Sequence, residues 1–282
     1  MKKKSMILVV LLFFITVAVV YAGYNFSNNQ QKELIQATSS EGEKKESVVQ
    51  EESVQENDIS FYESQREQLS IIDYIKYIEL TEKKPAIAFY GQSTEDADWV
   101  DNITVTLEAS LSNGLESTSF LKPETDSYDL YITNAAQSLT ETSADVVFFM
   151  TPALGDQIRD VSIEDSKDYL DRNVNQIQEM LPDALVVLVT PAPNDESEDY
   201  NSRMLTYIDY KNAAVEVAEE IELPLFDIHE KYLDQLEQKD ASVETMVEEN
   251  GVTLNEEGNQ LMSEIFNEEL TVPVDTTSGL GN

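Results

Sequence analysis

The chain has 282 residues, of which 41% are hydrophobic and 26% are charged, and it contains no cysteine. This length and apolar content suit one ordinary domain with appendages, and the lack of thiols excludes disulfides, cysteine nucleophiles and thiolate zinc sites. The formal net charge of −37 argues against nucleic acid as a partner, because phosphate contacts need a basic face.

The acidic surface has two interpretations. The simpler one is solubility at high salt or high pH. The other is a face that binds cations or polycations, but no tight carboxylate cluster has metal-ligand spacing. The sequence also has no P-loop, no dinucleotide-binding fingerprint and no zinc motif, so we expect no metal site and no cofactor.

The N-terminus carries the clearest local signal. Three lysines at positions 2–4 precede an uncharged, mostly apolar run at 6–22. As a helix this run rises roughly 26 Å, close to the bilayer core of about 30 Å. The lysines place the rest of the chain outside the cell, so we expect a single-pass membrane anchor at 1–22. Secretion after cleavage near Ala22 is the alternative, and a buried core helix is a third.

The next segment, 23–59, is rich in Gln, Glu, Ser, Asn and Lys. Such a segment buries too little apolar area to offset its conformational entropy, which predicts a disordered linker. Residues 271–282, with Pro273 and a Ser-Gly-Leu-Gly ending, are expected to form a flexible tail.

Helical and strand patterns alternate between the linker and the tail. Helical apolar spacing predicts helices at 61–80, 98–112, 164–180, 203–221 and 255–270. Short apolar runs predict strands at 86–90, 115–121, 145–150, 184–189 and 223–227. Strands separated by helices pair in parallel, and continuous apolar strands indicate a sheet covered on both faces. We expect a three-layer α/β/α sandwich with a mostly parallel five-stranded sheet over 60–270.

Ligands of such sheets bind at the carboxyl ends of the strands. The segments of interest therefore follow Tyr90, Met150, Val189 and Asp227, together with the turn before the last helix.

Three short blocks stand at these positions: Gly91-Gln92-Ser93, residues 152–156 and residues 250–259. Together they resemble the SGNH/GDSL hydrolase family, and this resemblance implies a flavodoxin-like fold. Gly91-Gln92-Ser93 is similar to the Gly-Asp-Ser that follows the first strand of the family. Residues 152–156 are similar to its Gly-x-Asn-Asp or Leu-Asn-Asp block. Residues 250–259 are similar to its closing block, Asp-Gly-x-His-Leu-Asn followed by a polar turn and the last helix. The resemblance covers nearly the whole predicted domain and implies an esterase-like site.

The residues that carry the family's mechanism differ here. Ser93 stands at the nucleophile position, with Gln92 instead of the neighbouring aspartate. Thr253 stands where the family has its histidine, and Asn250 where it has the aspartate that orients that histidine. Gly155 stands at the position of the oxyanion-binding asparagine.

These replacements argue against the family's chemistry. A serine hydroxyl is a poor nucleophile near neutral pH without an adjacent base, and loss of triad members reduces turnover by a factor on the order of 10⁴ to 10⁶. A glycine that should help to bind the oxyanion is also missing between Leu115 and Ala144. The resemblance thus implies a cleft formed by Gly91, Gln92, Ser93, Gly155, Asp156, Asn250 and Thr253, with doubtful activity.

The only histidine of the sequence, His229, follows the fifth predicted strand. It is either a relocated base for Ser93 or, more simply, a packed or solvated residue at a helix start. Asp227 reads as a cap of that helix. Asp156 is either a backbone hydrogen-bond acceptor near the site or another cap. Trp99 is either the floor of a sugar-binding cleft or a core residue.

Three functions remain open at this point. The first is a catalytically inactive SGNH-like domain that binds an envelope glycan, an acylated polymer or a protein. The second is an active esterase or carbohydrate deacetylase with an atypical base. The third is a tethered scaffold or assembly component. Fold alone does not decide among them.

Overall fold

The computed structural model describes residues 59–94 and 97–281. The predicted membrane segment at 1–22 and the predicted linker, apart from Ile59, lie outside these residues. Within the described part, no helix has the length and apolarity needed to cross a membrane.

The described residues contain a sheet of five parallel strands in the order β2-β1-β3-β4-β5. The strands are β1 (Ala86–Gln92), β2 (Glu116–Lys122), β3 (Val146–Met150), β4 (Leu185–Val189) and β5 (Leu225–Phe226). Strands β3 and β4 are entirely buried, as their unbroken apolar runs predict. Strand β2 forms one edge of this sheet and is largely exposed.

Helices cover both faces of the sheet. One face packs against the helices Ile71–Leu80, Trp99–Ala109, Ile228–Lys239 and Glu256–Glu269. The other packs against the helices Ser127–Ile132, Ile163–Met180 and Tyr207–Glu220 and the 3₁₀ helix Ala135–Glu141. In β1, Ile87 and Phe89 face the first layer while Ala88 and Tyr90 face the second, as the period of two in a strand requires. The predicted three-layer α/β/α architecture is confirmed.

The predicted helix at 61–80 is interrupted. The chain forms the helix Ile59–Ser64, a 3₁₀ turn at Arg66–Gln68 and then the helix Ile71–Leu80. Leu69 is extended and pairs with Val274 in an antiparallel bridge, and the Ser70 side chain accepts the Asp73 N–H as an N-cap. A pairing with the distant C-terminus, which no local pattern reveals, breaks this helix.

Other observed element boundaries differ from the predicted ones for local reasons. The predicted helix at 203–221 is observed as Tyr207–Glu220, because Thr206 and Asp209 form a reciprocal capping box at its start. The fifth strand contains only Leu225 and Phe226. Two α-helices were not predicted, Ser127–Ile132 and Ala153–Ile158. The helix expected after its cap Asp227 is observed as Ile228–Lys239.

The C-terminal segment, which we expected to be a flexible tail, is instead attached to the domain. Arg66 donates to Thr276 through Nε and Nη2, at 2.9 Å and 2.7 Å, and the Thr276 amide and hydroxyl both donate to the Arg66 carbonyl. The Gly279 carbonyl accepts the Val186 N–H at 3.2 Å. The polar composition of residues 271–282 suggested mobility, but these hydrogen bonds satisfy backbone groups of the segment on the surface of the domain.

The strand order places a topological switch between β1 and β3. From β1 the chain crosses to β2 on one side, whereas from β3 it crosses to β4 on the other. A crevice opens at the carboxyl ends of the strands at such a point. The candidate site lies there.

Candidate functional site

A cavity of about 350 Å³ opens at the carboxyl end of the sheet. This volume is at the lower end of the range for small-molecule sites. Its lining comes from the ends of β1 and β3, from the segments after β1, β2 and β4, from the loop before the last helix and from four helices. The lining residues are Gln92, Ser93, Thr94, Trp99, Pro123, Glu124, Met150, Leu154, Pro191, Ala192, Pro193, Asn194, Tyr207, Asn250, Val252, Thr253, Leu254 and Met262.

Ser93 reaches this cavity because β1 ends in an unusual backbone conformation. Gly91 has φ +114°, and a Cβ at this position would lie 2.1 Å from the Met150 carbonyl oxygen. Only glycine combines this φ with such a close approach to β3. The chain can therefore turn immediately after the strand, with Ser93 half-buried in the cavity wall.

Two backbone amides at the candidate site, those of Ser93 and Gly155, already make hydrogen bonds. The Ser93 N–H donates to the Lys122 carbonyl at 3.2 Å, and the Gly155 N–H donates to Gln92 Oε1 at 3.1 Å. After β2, the cavity wall contains Pro123, which has no N–H to offer. An oxyanion hole needs free donors aimed at the reacting oxygen, and none of these three positions supplies one in this conformation.

Gln92 holds two sides of the cavity together. Besides accepting the Gly155 amide, its side chain donates from Nε2 to the Pro123 carbonyl at 3.2 Å. The residue is 7% exposed, and both hydrogen bonds are partly buried. The glutamine that replaces the family's aspartate thus links the segment after β2 to the helix after β3.

Gly155 has no space for a side chain. A Cβ there would lie 1.8 Å from the Thr125 carbonyl oxygen and 2.9 Å from Asp126 Cα. Gly155 does not line the cavity itself; its neighbour Leu154 does. The helix Ala153–Ile158 packs so closely on the 125–126 backbone that an asparagine could not be placed at this position without moving one of the two segments.

Asn250 and Thr253 form a closed pair in the loop before the last helix. Asn250 Nδ2 donates to Thr253 Oγ1 at 2.9 Å, and the Thr253 N–H donates to Asn250 Oδ1 at 2.9 Å. The Val252 N–H donates to the same oxygen at 3.0 Å. This turn is tied to the segment after β4, because the Asp195 N–H donates to the Gly251 carbonyl at 2.8 Å.

Several solved structures share this architecture. A lipase/acylhydrolase from Enterococcus faecalis has a TM-score of 0.53 and 17% identity, covering 66% of this chain and 95% of that one. A putative GDSL-like lipase from Parabacteroides merdae has a TM-score of 0.54 and 15% identity, covering 67% and 96%. An acetylxylan esterase from Geobacillus stearothermophilus has a TM-score of 0.54 and 15% identity, covering 66% and 94%. No protein-family model and no curated protein matches this sequence.

The chain has the SGNH/GDSL hydrolase fold. The likeness extends over nearly the full length of each of these three structures, which agrees with a resemblance that runs from Gly91 to the block at 250–259. At 15–17% identity it concerns the fold alone.

Within this SGNH/GDSL fold, four of the seven predicted cleft residues line the cavity: Gln92, Ser93, Asn250 and Thr253. The other three, Gly91, Gly155 and Asp156, lie behind it. They position the walls without contributing to the lining.

Asp156 is a buried structural carboxylate. Oδ1 accepts the Ser127 N–H at 2.8 Å, at the start of the helix Ser127–Ile132, and Oδ2 accepts the Ser166 hydroxyl. Burial raises the pKa of Asp156 to about 6, although these hydrogen bonds oppose the shift. Asp156 therefore connects three helices behind the cavity wall. The predicted capping role applies to the helix Ser127–Ile132 and not to its own helix, Ala153–Ile158.

His229 does not serve Ser93 in this structure. It is the second residue of the helix Ile228–Lys239 and is buried against the Tyr207 ring, with centroids 5.9 Å apart. Neither imidazole nitrogen has a hydrogen-bond partner among the described residues. Strand β5, which precedes it, lies three strands from β1, roughly 14 Å at the usual strand spacing.

The surroundings of His229 keep it neutral. Burial, followed by the positive charge of Lys211, lowers the pKa of His229 to about 4, with Asp227 acting in the opposite direction. Asp227 accepts the Glu230 N–H at 3.3 Å and caps the helix, as predicted. The helix-start interpretation of His229, packed rather than solvated, fits this environment.

Trp99 belongs mainly to the core. It is buried and packs on Phe266 and Phe89, with ring centroids 5.6 Å away in both pairs. Only part of it contributes to the cavity wall. The core interpretation holds, and this residue is not an open stacking platform.

The sequence interpretation missed one wall of the cavity. Pro123 and Glu124 follow β2, an exposed strand whose weak pattern drew no attention to the segment after it. Tyr207, which the sequence places only within a predicted helix, also lines the cavity, and its hydroxyl donates to the Ala192 carbonyl at 2.7 Å. The rule that ligands bind at strand ends, applied to β2 as well, would have found Pro123 and Glu124.

No group of three or more His, Asp or Glu side chains that could hold a metal ion occurs in the part of the chain the structure describes. Among the described lining residues, Glu124 is the only charged one. The cavity wall is otherwise made of neutral polar and apolar groups.

Proposed function

We propose that this domain is a catalytically silent SGNH-fold module that binds a neutral, acylated or polyhydroxylated component of the cell envelope. The observation that carries the proposal is the Asn250–Thr253 pair, which occupies the base position of the fold with two groups that cannot accept a proton at neutral pH.

The state of Ser93 supports this proposal. Its amide is bonded to Lys122, and its hydroxyl has no hydrogen-bond partner among the described residues. General-base catalysis requires an acceptor within about 3 Å of the hydroxyl, or one water away. The one histidine of the chain is packed against Tyr207 instead.

The lining chemistry indicates the class of ligand. Amide and hydroxyl groups from Gln92, Thr94 and Asn194 alternate with apolar walls such as Leu154 and Met262. Such a lining can hydrogen-bond hydroxyl or amide groups and bury an acyl methyl group. With Glu124 as its one charged side chain among the described residues, it disfavours anionic ligands.

We also propose that the domain acts outside the cell, held to the membrane by the segment at 1–22 through the linker at 23–59. This part rests on the lysines at 2–4 and the apolar run that follows them. Secretion after cleavage near Ala22 remains the alternative, and proteolysis of intact cells with detection of both fragments distinguishes the two arrangements.

The first test is binding to a neutral envelope-type sugar. Isothermal titration of the full chain with an N-acetylglucosamine tetramer is expected to show saturable binding, and a glucuronic acid tetramer is expected to show none. Thr253→Trp places a bulky ring in the cavity lining and should abolish binding. Thr140→Trp is the matched control, because Thr140 is exposed on a 3₁₀ helix outside the cavity. Equal binding by both variants, or preference for the anionic sugar, contradicts the proposal.

An active esterase or deacetylase is the second candidate, since Ser93 is retained and lines the cavity. Its hallmark is hydrolysis of an acetyl ester that disappears in Ser93→Ala. A scaffold role, the third candidate, predicts that cavity substitutions are silent in cells while deletion of 1–22 is not.

A further inference from the structure

The two edges of the sheet differ in how they are protected. The β5 edge contains only Leu225 and Phe226, directly after Pro224. The β2 edge contains seven residues, and its central part from Ser117 to Leu121 has no charge and no proline. Proteins usually blunt an edge strand by shortening it, bulging it or placing charges and prolines on it. In β2 the only charges are at the two ends, Glu116 and Lys122.

The backbone of β2 alternates between β1 and the outside. The Glu116 N–H donates to the Pro85 carbonyl at 2.9 Å, and the Lys122 carbonyl accepts the Ser93 N–H. Glu116, Thr118, Phe120 and Lys122 therefore direct their backbone groups towards β1. In a regular parallel strand the intervening residues direct theirs the other way.

The outward groups belong to Ser117, Ser119 and Leu121. Within the described residues, the backbone N–H and C=O of these three make no backbone hydrogen bond. Ser117 and Ser119 are exposed and Leu121 is half-buried. The outward N–H and C=O groups of these three alternate residues are thus available to another strand.

We propose that two copies of this chain associate through β2, pairing antiparallel across a two-fold axis at Ser119. In this register Ser119 lies opposite Ser119 of the partner, and Ser117 lies opposite Leu121 of the partner. Each of these pairs has outward backbone groups on both sides, which is the condition for the hydrogen-bonded pairs of an antiparallel ladder. The sheet continues from one copy into the other.

The charges at the ends of β2 select a second copy as the occupant. The same two-fold register places Glu116 opposite Lys122 of the partner, and Lys122 opposite Glu116 of the partner. Opposite charges directly across a strand pair stabilise it. In the single chain, Lys122 makes no ion pair among the described residues, and Glu116 contacts Lys84 at 3.4 Å at an exposed site.

This pairing is isologous, as closed two-fold dimers require. The overall charge of −37 opposes it, since two acidic chains repel each other at long range. The expected complex is therefore a concentration-dependent dimer rather than a permanent one.

Sedimentation velocity of the full chain over a concentration series tests this proposal. Glu116→Lys and Lys122→Glu each place like charges opposite one another at both ends, and each should weaken dimerisation about tenfold or more. Mixing the two variants, or combining both substitutions in one chain, restores opposite pairs and should restore the wild-type dimerisation constant. Glu108→Lys is the control for Glu116→Lys, because it makes the same change in net charge at an exposed helical position outside β2.

A second pair of variants tests the backbone. Ser119→Pro removes the outward N–H while leaving the hydrogen bonds to β1 intact, so it should abolish dimerisation; Ser119→Ala keeps the N–H and should dimerise normally. A wild-type chain that stays monomeric overturns the proposal. Failure of the complementary mixture to restore the dimer also overturns it, and that result does not depend on the folding of the proline variant.

Discussion

Asn250 and Thr253 hydrogen-bond each other reciprocally, side-chain amide to hydroxyl and backbone amide to side-chain oxygen, both at 2.9 Å. The resemblance to SGNH/GDSL hydrolases places an aspartate and a histidine at these two positions. The loop therefore keeps a bonded pair three residues apart while losing both groups that move or stabilise a proton. Together with the engaged amides of Ser93 and Gly155, this pair leaves a cavity suited to binding.

Substitution of Gly155 should damage the fold around the cavity. In Gly155→Ala the new methyl group would lie 1.8 Å from the Thr125 carbonyl oxygen, so a backbone segment must move. We expect a loss of about 3 kcal/mol in the free energy of unfolding, the upper part of the usual range for overpacking. Urea titration followed by circular dichroism measures it.

Gly114→Ala is the control for that experiment. Gly114 has φ +77°, but its Cβ would meet nothing closer than 3.5 Å. It should lose only the ~1 to 2 kcal/mol of left-handed strain. Equal losses in the two variants would mean that the close packing of Gly155 is unimportant.

Asp156 should make stability fall as the pH rises. The pKa of Asp156 is raised by burial to about 6 in the folded state, so the folded protein binds the proton more tightly than the unfolded chain between about pH 4 and pH 6. Asp156→Asn removes this dependence and keeps an acceptor for the Ser127 N–H. Its stability relative to the wild type should increase by about 1 kcal/mol between pH 5 and pH 7.5. A difference that is constant across this range would refute the assignment.

His229 should have the opposite effect on the pH dependence of stability. The pKa of His229 is lowered by burial to about 4, so the unfolded chain binds the proton more tightly, and stability is lost as the pH falls below about 6.5. His229→Leu should therefore gain about 2 kcal/mol relative to the wild type between pH 7.5 and pH 5. Unfolding titrations above the sequence pI of about 4.1 avoid precipitation. If the stabilities of Asp156→Asn and His229→Leu relative to the wild type change in the same direction with pH, one of the two assigned environments is wrong.

The C-terminal segment should contribute to stability. Thr276→Val removes a buried hydroxyl that bonds Arg66 in both directions, and it is expected to lose about 1 to 2 kcal/mol. Thr277→Val alters an exposed neighbour whose hydroxyl bonds only Asp275 and should be nearly neutral. Thermal unfolding of the two variants side by side measures this contrast, and identical melting temperatures would restore the interpretation as a loose tail.

The strands were predictable because a strand that is buried on both faces is apolar at nearly every position. The runs Val146–Met150 and Leu185–Val189 are apolar at every position and are buried at every position. The helix Ile228–Lys239 could be predicted from its cap, Asp227, and the apolar residues Ile228, Tyr232 and Leu236 follow at helical spacing. The six-residue helix Ala153–Ile158 could not, because it is too short for a periodic pattern and is held by the contact of Gly155 with Thr125.

The candidate site was predictable only in part. The block resemblance located Gln92, Ser93, Asn250 and Thr253 on the cavity. The engagement of the Ser93 and Gly155 amides depends on where β2 and the helix after β3 are placed in space, which no local sequence pattern contains. The separation of His229 from Ser93 follows from the strand order, which becomes known only with the fold.

Hydrolysis of p-nitrophenyl acetate by the full chain, compared with the Ser93→Ala variant, tests the central claim most directly. Both proteins are expected to give the same slow rate, with no inflection near pH 6.5, because no imidazole serves the hydroxyl. A wild-type rate that exceeds the variant's by about 10²-fold or more, the usual scale for a working general base, would contradict the account.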